Sequence, residues 1–251
     1  MKTAQLALVL VTVVVMFGSF AHADAWQTIY STDFSSDPGW ITNDPSRYFW
    51  NSGTHDYAVK PVILSTGGYY GVHDVGSNPG SFRFTYDIKP LQCDWAGTIN
   101  FGLFGTNLEV SGNCVYIRFL NDTAGGLHPH MYADNGVGCQ EINDYGHNFS
   151  LGTWYHVEAE YDSLSQNLLA NLTYRDTGVY FTSMSLPNVG PFSPDMTWLG
   201  SSNYTSGANS PSYFGAQGIG TIDNVTFEVV PEPATFSLLF LGGLALIRRR
   251  K

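Results

Sequence analysis

Residues 81–89 read Ser81-Phe82-Arg83-Phe84-Thr85-Tyr86-Asp87-Ile88-Lys89. Phe82, Phe84, Tyr86 and Ile88 fall at every second position, with polar residues between them. A period of two sends alternate side chains to opposite faces, so this is a strand with one buried and one wet face. The alternation returns at Ile99, Phe101 and Leu103, then at Val115, Ile117 and Phe119. It returns again at Tyr155, Val157, Ala159 and Tyr161, at Leu168, Ala170, Leu172 and Tyr174, and across Thr221 to Val229. Breaks rich in Gly, Asn, Ser and Pro separate these runs, as at Gly76-Ser77-Asn78-Pro79-Gly80. No long stretch between the two ends has helical period. The pattern predicts an all-β domain, an antiparallel sandwich or barrel.

The ends differ from this middle. Lys2 precedes an apolar run from Leu6 to Phe17, and Ala21-His22-Ala23 offers a small-residue cleavage site before Asp24. That order of charge, apolar run and small residues is a secretory signal peptide over 1–23, cleaved after Ala23, with the Sec machinery as its partner. At the other end, Ala234 to Ile247 is 14 residues without a charge. As a helix it would be roughly 21 Å long, against a hydrocarbon core of about 30 Å. Arg248, Arg249, Arg250 and Lys251 follow it and favour the cytoplasmic side. Pro231 and Pro233 interrupt any element running in from the domain.

Val230-Pro231-Glu232-Pro233, the apolar stretch and the terminal arginines together resemble a PEP-CTERM sorting signal over 230–251. The resemblance implies recognition by an exosortase, a membrane-embedded cysteine protease that removes the anchor. Pro231, Glu232 and Pro233 would be the recognition element and Arg248, Arg249 and Arg250 the stop signal. The expectation is a protein of the cell envelope or extracellular matrix, held in the membrane only transiently. The alternative is a lasting single-pass anchor.

Between the ends, the domain 24–229 and its flanking Val230 carry six cationic and 20 acidic residues, a formal charge of −14. Such a field repels phosphate backbones and excludes nucleic acid as a partner. Cys93, Cys114 and Cys139 allow one disulfide in an oxidising compartment, and spacing does not choose the pair. There is no C-x-x-C pair, G-x-S-x-G elbow, Walker loop or H-E-x-x-H.

Three segments add a second resemblance: Phe82 to Phe104; Gly152-Thr153-Trp154-Tyr155-His156-Val157-Glu158-Ala159-Glu160-Tyr161-Asp162; and Ile222-Asp223-Asn224-Val225-Thr226-Phe227. Together they resemble the concanavalin A-like jelly roll of lectins, laminin G domains and some glucanases. The resemblance implies two packed antiparallel sheets, with Asp33-Phe34 approaching Ile222-Asp223. Several such domains hold a structural Ca²⁺ where first and last strands meet, which makes Asp33 and Asp223 candidate ligands; turn capping is the plainer role.

Glu158, Glu160 and Asp162 share one strand face, and carboxyls two apart on a strand come near the ~5–5.5 Å that retaining glycosidases use. Glu158 and Glu160 are therefore candidate catalytic residues, against the plainer reading of a wet face. Jelly-roll glucanases have Glu-x-Asp-x-Glu where this strand has Glu-x-Glu-x-Asp. Trp50 and Trp95, beside polar neighbours and turns, are candidate sugar-stacking residues. Core packing is the plainer role for most of the aromatic residues around them, Trp40, Tyr48, Phe49, Tyr57, Tyr69 and Tyr70. His128 and His130 flank Pro129 and read as surface residues at an edge or loop. The expected function is a non-catalytic, exported, lectin-like protein contacting extracellular polysaccharide. Glycan cleavage and a purely structural or adhesive role are the alternatives.

Overall fold

The computed structural model describes residues 26–64, 67–77, 80–108, 112–122, 126–203, 212 and 214–230. Among them the strands are β1 (Gln27–Thr32), β2 (Ile41–Thr42), β3 (Tyr48–Asn51), β4 (Asp56–Val59), β5 (Tyr70–Asp74), β6 (Phe82–Cys93), β7 (Thr98–Gly105) and β8 (Cys114–Asp122). They continue with β9 (Gly126–Asp134), β10 (Cys139–Asn143), β11 (Tyr155–Asp162), β12 (Asn167–Tyr174), β13 (Tyr180–Leu186), β14 (Met196–Ser202) and β15 (Gly218–Val229). No α-helix lies among the described residues. The expected terminal helices, the cleavage site after Ala23 and the sorting residues Pro231, Glu232, Pro233, Arg248, Arg249 and Arg250 lie outside them.

Two antiparallel sheets form a sandwich. The first runs β13-β12-β11-β6-β15-β4-β3, with β1 also paired to β15; the second runs β10-β9-β8-β7-β14-β5-β2. The alternating runs fill the space between them. Phe82, Phe84, Tyr86 and Ile88 of β6 and Tyr155, Val157, Ala159 and Tyr161 of β11 face Ile99, Phe101 and Leu103 of β7 and Val115, Ile117 and Phe119 of β8 in one buried cluster. Tyr86 and Phe101 meet across the sheets with ring centroids 4.3 Å apart. Each such ring buries ~150 Å² or more, and this burial is the main force holding the sheets face to face.

First and last strands meet, as the jelly-roll resemblance implied. β1 lies along β15, with Ser31 Oγ 3.4 Å from Thr226 Oγ1. Phe34, just beyond β1, is in the core together with Trp40, Tyr48 and Tyr57. β15 carries a register shift between Asp223 and Thr226, where Asn224 is left-handed at φ 50°. Such a bulge re-aims side chains at the point where it falls.

Candidate functional site on the outer face of the second sheet

The two outer faces of the sandwich are built differently. On the first sheet, β11 alternates buried and half-buried along its whole length. On the second, β7 is buried at every position, and β9 buries residues of both parities. His128 and His130 point away from the core on that sheet, yet both are 0% exposed. Sequence led us to expect surface histidines, and the structure corrects this. Pro129 sits inside β9, opposite Phe119, and its carbonyl accepts from the Asp144 N–H just past the end of β10. The missing proline N–H thus faces the side where the neighbouring ladder has stopped. Polar groups buried on an outer face are the informative ones, because each needs a partner.

Register brings them into rows. Tyr116, Arg118 and Leu120 of β8 stand opposite Tyr132, His130 and His128 of β9. Glu141 and Asn143 of β10 stand opposite Tyr132 and His130. One row therefore reads Asn143, His130, Arg118, and the next Glu141, Tyr132, Tyr116.

His130 sits between a cation and an anion. Arg118 Nε donates to its Nδ1 at 3.2 Å, and its Nε2 is 3.0 Å from Glu141 Oε2. The arginine Nε always carries its hydrogen. Nδ1 therefore accepts, and Nε2 holds the proton and donates it to Glu141. Burial, with the Arg118 charge and His128 acting in the same direction, pulls the His130 pKa down to about 2. The ring is a neutral bridge. Since Nε2 is already a donor, the 3.3 Å approach of Arg118 Nη2 to it is not a hydrogen bond. The guanidinium also lies over Tyr116 at 5.9 Å, and Tyr116 stacks on half-buried Tyr132 at 5.0 Å.

His128 is left less complete. Its Nδ1 is 3.0 Å from Gly126 O, while Nε2 is buried without a hydrogen-bond partner and 3.8 Å from Asp122 Oδ2. Tyr145 stacks over the ring at 4.6 Å. Asn143 Oδ1 is buried and unpartnered as well. The turn carrying Trp95 borders this end of the sheet, since Ala96 N–H donates to Asn121 O at 2.6 Å.

The other half of the face is filled. Leu108 packs with Val72, Phe104, Cys114 and Tyr116, with Tyr70 and Trp198 partly exposed around them. Ser202 Oγ donates to Leu108 O at 2.7 Å. Asn100, opposite Arg118, is used in joining β7 to β14: its amide donates to Ser202 O at 2.5 Å and its carbonyl accepts from Ser201 Oγ at 3.0 Å.

The residues singled out from sequence lie elsewhere. Glu158 stands between Thr85 and Asn171, and Glu160 between Arg83 and Leu169, on the outer face of the first sheet. They share no face with the ring-lined row. On that same face Asp87, only 3% exposed, lies 2.7 Å from His156 Nδ1 and accepts from Asn224 Nδ2 at 2.7 Å. Asp223 is 3.7 Å from Arg175 Nη1, and burial raises its pKa. Asp33 is exposed and caps Ser35 N–H at 3.0 Å, the turn-capping role. Among the described residues no group of three or more His, Cys, Asp or Glu side chains is arranged to hold a metal ion. Trp50 donates from its indole to Phe34 O at 2.8 Å and packs against the core, whereas Trp95 is 51% exposed. Sequence reading passed over Arg118, Tyr132 and Glu141. The available signal was Tyr116 and Arg118 standing in the wet phase of the strand whose core phase is Val115, Ile117 and Phe119.

The comparisons with known proteins agree with this architecture. Residues 229–251 match the PEP-CTERM protein-sorting motif. The motif indicates a protein exported and then anchored or processed at the cell envelope. No curated protein matches the chain. Among solved structures, the seed lectin of Lotus tetragonolobus is 14% identical, covering 81% of this chain and 100% of its own, with a TM-score of 0.56. Basic winged bean lectin, solved with Tn-antigen, is 13% identical, covering 80% and 98%, at a TM-score of 0.53. A marine PL-14 alginate lyase from Aplysia kurodai is 10% identical, covering 82% and 100%, at 0.54. At these identities the likeness is one of fold. The fold is the concanavalin A-like jelly roll, and it accommodates both sugar-binding and sugar-cleaving proteins. Among the described residues no helix is long and apolar enough to cross a membrane.

Proposed function

We propose that this is an exported, non-catalytic protein of the cell surface or matrix that contacts glycans through the outer face of its second sheet. The observation that carries the reading is the row Asn143, His130, Arg118 beside the half-buried ring of Tyr132 on one outer face. Sugar rings offer apolar C–H faces to aromatic side chains such as Tyr132 and hydroxyls to polar side chains beside them. The sorting motif supports exosortase processing at the cell envelope, and the matrix is the destination this reading adds to it.

The test is a glycan array probed with the full-length chain and with Tyr132→Ala. We expect retention on a restricted set of glycans and its loss in the variant, which should still unfold cooperatively at a somewhat lower melting temperature. Full retention by Tyr132→Ala would move the contact to another surface. If a well-folded sample retained no glycan, the structural or adhesive role would replace this reading. Turnover of an array glycan that disappears in Glu158→Gln would replace it with the glycosidase reading.

A further inference from the structure

We propose that Arg118 seats a carboxylate, so that the glycan taken by this face is an acidic one built on uronate-type sugars. The inference rests on the glycan-contacting reading above and names its substrate class. The other arginines of the described domain are matched to acids: Arg47 to Asp44 at 3.6 Å, Arg83 to Glu228 at 2.5 Å, and Arg175 to Asp176 at 3.0 Å. Arg118 has no carboxylate oxygen within 4.0 Å among the described residues, in a domain where acids outnumber bases by 20 to six. A half-buried guanidinium has lost part of its hydration, and leaving it without an anion is costly unless a partner arrives.

The nearby acids have other tasks. Glu141 lies beyond His130 and accepts its Nε2 proton. Asp134 accepts from Gly112 N–H, Gly136 N–H and the Tyr132 hydroxyl. Asp122 lies toward His128. His130 is neutral and holds the guanidinium by its Nε, which leaves the Nη1 and Nη2 groups as a planar fork. That fork matches the two oxygens of a carboxylate. Tyr132, one row away, would take the C–H face of the same sugar. The protein supplies an Nε anchor, a ring under the guanidinium at 5.9 Å and a fixed tautomer beneath, so the fork is positioned before any ligand binds.

Calorimetry of the full-length chain tests this with two probes: an oligomer of galacturonic acid, and the same oligomer with every carboxyl reduced to the alcohol. We expect the acidic probe to bind about tenfold tighter or more. Arg118→Met should erase that preference while keeping weak binding of the neutral probe. Arg118→Lys, which keeps the charge and loses the fork, should restore part of it. Equal affinity for both probes in the native protein would overturn the inference and leave the glycan reading standing, as would a preference that survives Arg118→Met. Binding of neither probe by a folded sample, together with an empty array, would sink both.

Discussion

His130 and His156 have pKa values displaced in opposite directions. The His156 pKa is raised, first by its hydrogen bond to Asp87, against the opposing effect of burial. A raised histidine stabilises the fold fully below the unfolded value of ~6.5 and loses that contribution as pH climbs through the folded value. His156→Gln should therefore lower the melting temperature most in mild acid, with the gap closing as pH rises. A gap that widened with pH would refute the pairing. The His130 pKa falls to about 2. Between ~6.5 and that value the unfolded chain takes a proton which the folded ring refuses, so this residue costs stability as the solution is acidified. A nitrogen-detected NMR titration should show His156 charging while His130 stays neutral with its hydrogen on Nε2. Protonation of His130 near pH ~6.5 would mean that the ring is wet and that Arg118 is not held by it.

At the scale of strands, what fixes the site is register. Arg118, His130 and Glu141 come from three successive strands, and only the pairings of β8 with β9 and of β9 with β10 put them in reach of one another. The sequence shows which residues of β6, β7, β8, β11 and β12 face inward, because alternation is local. It does not show which outward residues line up, because that depends on turn geometry and on where each ladder ends. Asp223 illustrates the difference. The meeting of the first and last strands was legible, while the bulge beside Asp223 that turns Asn224 onto Asp87 was not. Gly102 shows how tightly the central strands are matched. A Cβ there would meet Val115 O and lie 2.5 Å from Tyr116 Cα, both backbone atoms. Gly102→Ala should thus destabilise by about 3 kcal/mol in urea unfolding, as overpacking does when neither neighbour can move. A cost near zero would mean that β7 and β8 are free to part.

For the whole molecule, export and charge set the constraints. An oxidising destination permits a disulfide, yet Cys93, Cys114 and Cys139 are all free thiols. Cys114 and Cys139 stand on either side of Asp134, two strands apart, roughly 9–10 Å between Cα atoms where a bridge needs ~4.4–6.8 Å. Cys93 ends β6 on the other sheet. A reductant should leave the melting temperature unchanged, and a thiol reagent should label exposed Cys139 well before buried Cys114, whose thiol burial holds far above its ordinary pKa. A drop in melting temperature on reduction would reveal a bridge. The domain's formal charge of −14, six cationic against 20 acidic residues over 24–230, acts over a longer range. If Arg118 takes an anion, the ligand must approach through a field that repels it before reaching the guanidinium that attracts it. Raising salt from about 0.01 M to about 0.15 M shortens the screening length from ~30 Å to ~8 Å, so the long-range repulsion fades while the buried contact is little changed. The association rate of an oligogalacturonate should therefore rise several-fold over that range in stopped-flow measurements, with a nearly constant dissociation rate. A basic binding surface would give the opposite slope. An association rate that falls with salt would locate the anion on some other, positively charged patch.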